Sequence, residues 1–348
     1  MVASGDFFSD PKWASIAKVE ILQKYLLPFS YKLGSRSPRL WLVDGFAGAG
    51  AYRPNSEGRV QDGSPRAAGR LARKLELERG EPLLRTINVE ADRATFVELQ
   101  GNLAQFGDLT TNFMASFEES LDEILKIVGR DPALFFLDPF GLRGIEMSLI
   151  DRIRERSGKT ELLIHFSDRA FLRMAGHLDE RERQEVGQRA AVAKLEELDA
   201  VIASPLWRRI WEDKVQPTEV RIEKIAALYC SQLRERGFSY VHEIRMRDAL
   251  LDRPKYRLVF CTRSADGVDL MSQFACDYER ALFERHWEGS FDIAWEEQRR
   301  QEKLVKLRDE VHAFGVGQGT ATLRQIRHAL VPDHFAEFRR PELRQRRS

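Results

Sequence analysis

Short apolar runs alternate with amphipathic segments through the first half of the chain. The apolar runs predict strands at 39–44, 84–90, 110–115, 133–138 and 160–166, and the amphipathic segments predict helices at 65–79, 93–105, 118–128 and 146–156. Because the runs are continuous and carry no polar alternation, they are typical of a parallel sheet covered by helices on both faces. The pattern therefore predicts an α/β fold.

Further helical and strand patterns flank this core. Residues 12–33 carry one apolar stripe, and four lysines lie off it: Lys12, Lys18, Lys24 and Lys32. We interpret this segment as a packing helix with solvated lysines, with a substrate-contacting helix as the alternative. A charged helical insertion is expected at 168–217, then a helix at 218–236 and strands at 238–246 and 255–262. Their short link predicts an antiparallel hairpin and a seven-stranded, mostly parallel sheet.

The chain divides into three expected parts: an N-terminal helical segment (1–36), the α/β domain (37–280) and a C-terminal module (281–348). Within 269–315 we predict helices joined at 289–291, followed by a glycine hinge at Gly315, Gly317 and Gly319. A short helix at 322–330 and a basic helix at 335–347 come next. The module resembles a small winged-helix domain.

Composition narrows the class of protein. Lys and Arg (55) balance Asp and Glu (54) over 348 residues, although residues 299–348 hold 12 basic against 6 acidic residues. No apolar run approaches the roughly 20 residues of a membrane span, and residues 1–11 lack the apolar core of a signal peptide. The three cysteines are far apart and show no zinc spacing, so we expect a cytoplasmic protein without a metal site.

An acid-and-glycine loop follows the first predicted strand. Its residues are Asp44, Gly45, Phe46, Ala47, Gly48, Ala49 and Gly50. Glycine lets a ligand approach the backbone, and open α/β sheets bind ligands at this edge. S-adenosylmethionine (SAM) methyltransferases build their cofactor site in this way. We expect Asp44 to accept a hydrogen bond from the SAM amino group or from a neighbouring side chain, and Phe46 to line the pocket.

Four further residues belong to the predicted cofactor site: Ser64, Glu90, Ser116 and Phe117. Glu90 ends the second strand and can accept hydrogen bonds from both ribose hydroxyls, while Asp92 is expected to cap the next helix. Ser116 and Phe117 follow the third strand, where they would contact the adenine; a loop entering a helix is the alternative. Ser64 is expected to cap the helix at 65–79, beyond a 51–63 loop that would overhang the site.

The loop after the fourth strand, Asp138-Pro139-Phe140-Gly141, is the candidate catalytic element. Amino-methyltransferases of DNA and RNA have Asp/Asn-Pro-Pro-Tyr/Phe at this place. The acid and the following carbonyl accept hydrogen bonds from the target amine, and the aromatic ring stacks on an extruded base. Here the second proline is missing and the aromatic residue comes one position early. His165, on the fifth strand, is interpreted as a core residue, with a site role as the alternative.

At these motifs the sequence resembles the three-Cys-motif partner protein family. The resemblance covers roughly residues 12–280 through the 43–50, 63–65, Glu90 and 137–141 segments. It implies a class I SAM-dependent methyltransferase-like fold, with SAM as cofactor, and a three-Cys-motif protein as a partner. A more distant similarity, to bacterial enzymes that methylate adenine N6 in 23S ribosomal RNA, covers the 44–50, 63–65 and 138–139 motifs and departs at Phe140 and Gly141.

The basic C-terminal segment suggests contact with nucleic acid. By helical spacing Arg324, Arg327 and His328 share one face, and Arg339 and Arg340 add positive charge. Phosphate contacts need such charge, although a solvated tail or a protein partner are alternatives. The sequence thus predicts a SAM-dependent methyltransferase acting on an amine, in DNA or RNA. The alternative is a non-catalytic, methyltransferase-like scaffold that binds nucleic acid or a partner enzyme.

Overall fold

The computed structural model describes residues 13–54, 58–180, 188–250, 252–287, 293–318 and 321–338. Seven strands form one sheet: β1 Leu40–Asp44, β2 Leu84–Val89, β3 Thr110–Phe113, β4 Ala133–Leu137, β5 Thr160–Phe166, β6 Tyr240–Met246 and β7 Tyr256–Thr262. Their order across the sheet is β3-β2-β1-β4-β5-β7-β6. Strands β1 to β5 are parallel, and β7 lies antiparallel between β5 and β6. The predicted class I fold is confirmed.

Helices lie before, between and after the strands. Those up to the insertion are α1 Trp13–Gly34, α2 Ser64–Arg79, α3 Arg93–Leu103, α4 Phe117–Val128 and α5 Met147–Glu155. The insertion and the helix after it comprise α6 Asp168–Glu180, α7 Gln188–Ile202, α8 Leu206–Glu212 and α9 Thr218–Glu235. The last three are α10 Ala265–Trp287, α11 Ile293–Gln318 and α12 Leu323–Leu330. None of the described helices is long and apolar enough to cross a membrane.

The sheet reverses its strand order beside β1, and this reversal positions the site. Strand β1 pairs with β2 on one side and with β4 on the other. The chain therefore leaves the carboxyl ends of β1 and β4 in opposite directions, which opens a crevice at that edge. Both strands are buried along their whole length. The loops 44–50 and 138–141 begin where they end.

The chain forms two compact units. The first comprises the residues up to Met246 together with Pro254–Arg263, and the second comprises Arg247–Arg253 and the residues from Ser264.

Helix α11 runs through the predicted glycine hinge, because Gly315 and Gly317 are helical. Residues 335–337, at the start of the basic helix expected at 335–347, form turns. The described residues of 264–338 include no strand, so they show no wing. The predicted joint at 289–291 lies outside the described residues, as do Gly319 and residues 339–347.

A buried ionic cluster attaches the insertion to the sheet. Arg257 on β7 is 1% exposed, and its guanidinium binds Asp168 at the start of α6, Glu223 on α9 and Glu243 on β6, at 2.9–3.2 Å. Arg245 binds Glu223 and Glu243 from the outside, at 2.7 and 3.0 Å. Planar guanidinium groups suit such multidentate pairing with carboxylates. The cluster joins four elements around one cation.

We expect Arg257→Met to lower the free energy of unfolding by about 3 kcal/mol or more, because it leaves the buried Asp168 carboxylate without its cation. Urea unfolding of the purified protein measures this loss. Arg245→Met is the matched control: the Arg245 side chain is 45% exposed, so its removal should cost about 1 kcal/mol or less. Equal losses in the two variants would contradict the role given to Arg257.

Candidate functional site

The loop after β1 is organised by a buried carboxylate. Asp44 is 0% exposed; its Oδ1 accepts a hydrogen bond from the Phe46 amide at 3.2 Å, and its Oδ2 accepts one from the Ser64 hydroxyl at 2.6 Å. Of the two expected roles, the structure shows the bond to a neighbouring side chain. Ser64 is accordingly not the cap of α2; Gly63 holds that position, without a side-chain hydrogen bond.

Two glycines give the loop its shape. Gly48 and Gly50 have φ angles of +57° and +79°, in the left-handed region that favours glycine. A Cβ on Gly50 would also lie 3.0 Å from Leu99 Cδ1 on α3. The backbone of the loop is tied to its neighbours, since the Ala47 amide donates to Val89 O and the Ala49 carbonyl accepts from Asn102 Nδ2, both at 2.8 Å. The loop is therefore held rigidly beside β2 and α3.

Glu90 lies where the sequence places it, at the end of β2 and against the glycine loop. Its carboxylate accepts hydrogen bonds from the backbone amides of Asp92, at 2.7 Å, and of Gly48. Burial raises the pKa of Glu90, and these amides oppose the shift. Asp92 caps α3 as predicted, accepting from the Thr95 amide at 2.8 Å. Glu90 is thus a partly buried acceptor facing the loop, as a ribose-binding acid would be.

The residues after β3 are used mainly to start a helix. Ser116 is the N-cap of α4 and forms a capping box with Glu119, in agreement with the alternative of a loop entering a helix. Phe117 is 2% exposed and packs in the core, where its ring centroid lies 5.9 Å from that of Phe46. Met114, which the sequence reasoning did not single out, is 55% exposed at this edge.

The loop after β4 presents both polar and aromatic groups. Asp138 is half-buried, Pro139 is buried and Phe140 is 68% exposed. A Cβ built on Gly141 meets no heavy atom within 4 Å. The loop thus combines a partly buried carboxylate with an exposed aromatic ring.

Sequence reasoning missed the partner of this carboxylate. Lys18 on α1 was expected to be solvated, but it is 8% exposed and its ammonium pairs with Asp138 Oδ2. His165 on β5 also lies near this carboxylate, with its Nδ1 3.5 Å from Asp138 Oδ1. Tyr256 packs 4.1 Å from the His165 ring and donates its hydroxyl to Ala14 O at 2.7 Å.

The protonation of this cluster follows from its burial. Burial lowers the pKa of His165 to about 4; the Asp138 carboxylate opposes this shift, and the Lys18 cation adds to it. His165 is therefore neutral near pH 7. Burial also raises the pKa of Tyr52 well above its ordinary value, and the negative charge of Asp138 contributes. Asp138 thus lies among Lys18, a neutral His165 and a neutral Tyr52.

Tyr52 belongs to the 51–63 loop, which was expected to overhang the site. The described part of this loop begins and ends as a narrow ribbon: Ala51 bridges Asp62, and the Tyr52 amide donates to Gln61 O at 2.9 Å. Residues 55–57 lie outside the described residues.

The basic residues of α12 are engaged within the second unit. Arg324 Nη2 and His328 Nε2 lie 2.7 and 2.8 Å from the Asp266 carboxylate, and Arg327 Nε lies 3.5 Å from Asp269 Oδ2. These contacts hold α12 against α10. The two aspartates also offset the positive charge of α12, which was expected to bind phosphate. Two further arginines predicted for this contact lie outside the described residues: Arg339 and Arg340.

Comparisons with known proteins give weak structural likenesses. No protein-family model matches the sequence, and no curated protein is significantly similar to it. A Legionella pneumophila protein of the family DUF519 is 12% identical, with a TM-score of 0.46, covering 80% of this chain and 94% of its own. The plantazolicin methyltransferase BamL, solved with S-adenosylhomocysteine (SAH) and a triazolic desmethylPZN analog, is 11% identical, with a TM-score of 0.31, covering 71% and 86%. These TM-scores are too low to support an inference about this chain.

The buried Asp44 predicts a measurable pH dependence of stability. Burial raises its pKa to about 7 in the folded protein, against an ordinary value of 3.8, while Ser64 and the Phe46 amide oppose the shift. Between these values the folded state binds the proton more tightly than the unfolded state, so this group makes stability fall as pH rises from about 4 to about 7.

We expect Asp44→Asn to remove this contribution, since an uncharged amide can accept from the Phe46 amide through its oxygen and donate to the Ser64 hydroxyl oxygen through its nitrogen. Between pH 5 and pH 8 the free energy of unfolding of the variant should rise, relative to that of the parent, by a few kcal/mol, on the order of 3. Thermal or urea unfolding measures this difference. The difference between the two proteins cancels groups such as His165 that titrate in both. Parallel stability curves would show that Asp44 does not titrate in this range.

Proposed function

We propose that this protein is a SAM-dependent methyltransferase that acts on the exocyclic amine of a nucleobase in DNA or RNA. One observation carries the proposal. The glycine loop, Glu90 and the Asp138–Phe140 loop follow strands β1, β2 and β4, which are neighbours in the sheet, so they meet at one edge. That edge, beside the strand reversal, is where open α/β sheets bind their ligands.

The residues at this edge have the chemistry to hold SAM. The backbone amides of the 45–50 loop suit the SAM carboxylate, and the positive φ angles of Gly48 and Gly50 let the ligand approach the backbone closely. Glu90 is a carboxylate acceptor for the ribose hydroxyls. Phe46 is half-buried and lines the loop, and Asp44 holds it in shape from behind. Bound SAM would supply an electrophilic methyl group.

The chain's own residues would orient the amine. Asp138 and the carbonyl oxygens of its loop accept hydrogen bonds from the amine protons, so that the nitrogen lone pair faces the methyl carbon. Phe140 offers a face on which an extruded base can stack. The Lys18 cation beside Asp138 makes this pair neutral overall. A neutral pair favours an uncharged, conjugated amine over an ammonium group, which Lys18 would repel.

Cofactor binding is tested by calorimetric titration with SAM and SAH. We expect the parent protein to bind both, and Glu90→Ala to bind at least about tenfold more weakly, because hydrogen bonds to a carboxylate contribute about 1.5–3 kcal/mol. Asp92→Ala is the matched control from the same loop. It removes a helix cap and should lower stability by about 1 kcal/mol while leaving the affinity for SAH unchanged.

Absence of SAM and SAH binding at high micromolar concentration would refute the proposed cofactor. Equal losses of SAH affinity in Glu90→Ala and Asp92→Ala would instead show that the loop as a whole, rather than the Glu90 carboxylate, supports binding.

Methyl transfer is tested separately, with labelled SAM and total cellular RNA and DNA. We expect label to enter one of the two nucleic acids, and Asp138→Ala to slow transfer by roughly 10²-fold or more, since a positioned hydrogen-bonding group contributes on this scale. The affinity of Asp138→Ala for SAH should stay unchanged. Transfer at the parental rate by this variant would exclude Asp138 from the reaction.

A non-catalytic scaffold is the second candidate. The Lys18–Asp138 pair favours it, because the Asp138 carboxylate already has a partner within the protein. A scaffold would bind SAH or nucleic acid without transferring label. The transfer experiment therefore separates the two candidates, provided that SAH binding has first been established.

A further inference from the structure

One face of α6, the helix that follows β5, carries positive charge. Arg169 and Arg173 lie four residues apart, so they share one side of the helix, and both are exposed. Ala170, Phe171 and Met174 are buried and fix the opposite side against the core. We call the side with the two arginines the α6 arginine face.

The acid nearest to this face does not neutralise it. Asp168, in the first turn of α6, is 3% exposed and accepts hydrogen bonds from Arg257 at 3.0–3.2 Å. Its charge is therefore matched inside the protein. This differs from α12, where Arg324 and Arg327 face Asp266 and Asp269.

The α6 arginine face and the candidate catalytic loop follow neighbouring strands. Strand β5, which leads into α6, pairs directly with β4, which leads into the Asp138 loop. At the ends of these strands the His165 and Asp138 side chains are 3.5 Å apart. Phe140, in the same loop, is 68% exposed. An exposed aromatic ring and two exposed cations thus follow neighbouring strands at one edge of the sheet.

We infer that the α6 arginine face and Phe140 form a docking surface for single-stranded nucleic acid, with the arginines on phosphates and the ring on an unpaired base. Single-strand binding sites combine positive charge along the backbone with aromatic side chains that stack on bases. Guanidinium groups pair with phosphate through two parallel hydrogen bonds. The inference deepens the proposed function and rests on it only for the assignment of the crevice as the methyl-transfer site. It assigns the nucleic-acid contact to the first unit, whereas the sequence suggested α12.

The probes are fluorescein-labelled 20-nucleotide single-stranded RNA and DNA of mixed sequence, with binding to the full chain followed by anisotropy at several salt concentrations. We expect Arg169→Gln/Arg173→Gln to bind at least about tenfold more weakly than the parent at low salt. The slope of log K against log salt should become less steep by about 1.4, which is about 0.7 for each phosphate of a single strand that the variant no longer neutralises. Comparing the two probes shows whether RNA or DNA is preferred.

The matched control is Arg130→Gln/Lys159→Gln, which removes two exposed cations at the opposite edge of the sheet, before β4 and β5. It should keep the parental affinity and salt slope. No binding of either probe by the parent protein, equal losses in the two double variants, or equal competition by polyglutamate would overturn the inference; the last would indicate an acidic protein partner.

Binding of SAH is measured on the same samples and should be unchanged in Arg169→Gln/Arg173→Gln, which also shows that this variant is folded. If SAH binds to none of the proteins while the arginine variant loses RNA or DNA affinity, the proposed methyl transfer fails and the docking surface stands. If SAH binds but nucleic-acid affinity is unaltered by the arginine substitutions, the docking surface fails and the proposed cofactor stands.

Discussion

A carboxylate buried at the centre of the sheet determines the geometry of the crevice. Asp44 ends a strand that is flanked on both sides, so its charge lies far from water and must be matched by hydrogen bonds from the protein. The Phe46 amide and the Ser64 hydroxyl supply them. The first bond turns the chain sharply after β1, and the second brings the start of α2 back to the same point. Between the two bonds, the described ends of the 51–63 loop are joined by the bridge between Ala51 and Asp62. The glycine loop therefore stays at the carboxyl end of β1.

The second acid of the crevice, Asp138, is matched by a cation from a distant part of the chain. Lys18 reaches it from α1, while Tyr256 holds the same end of that helix through the Ala14 carbonyl. The helix is also fixed further along, where Tyr25 donates to the buried Glu161 on β5 at 2.5 Å. Helix α1 is thus part of the candidate site, because it supplies the cation that pairs with Asp138. His165 stays neutral in this setting and adds no second cation.

The sequence predicts the sheet well and the ion pairs poorly, for a physical reason. Apolar runs and helical periodicity are local properties, and they place the strands within about two residues of their observed bounds. The glycine loop, Glu90 and the Asp92 cap are also local. Lys18 lies off the apolar stripe of its helix, and only the fold shows that this side faces Asp138. Ser64 was expected to serve its own helix, but the nearby buried carboxylate competes more strongly for its hydroxyl. Gly315 and Gly317 remain helical because their low helix propensity is a weak local preference.

The same distinction decides which basic residues can meet an external anion. A count along the chain points to the C-terminal segment, where basic residues outnumber acidic ones. In the folded chain, however, Arg324, Arg327 and His328 face Asp266 and Asp269, so their charge serves to hold α12. On α6 the relation is reversed: the acid of the first turn is turned inward to Arg257, and the arginines remain outside. The buried cluster at Arg257 therefore does more than attach the insertion to the sheet. By taking up Asp168, it leaves a net positive helix face beside the crevice, at the edge where the proposed chemistry would take place.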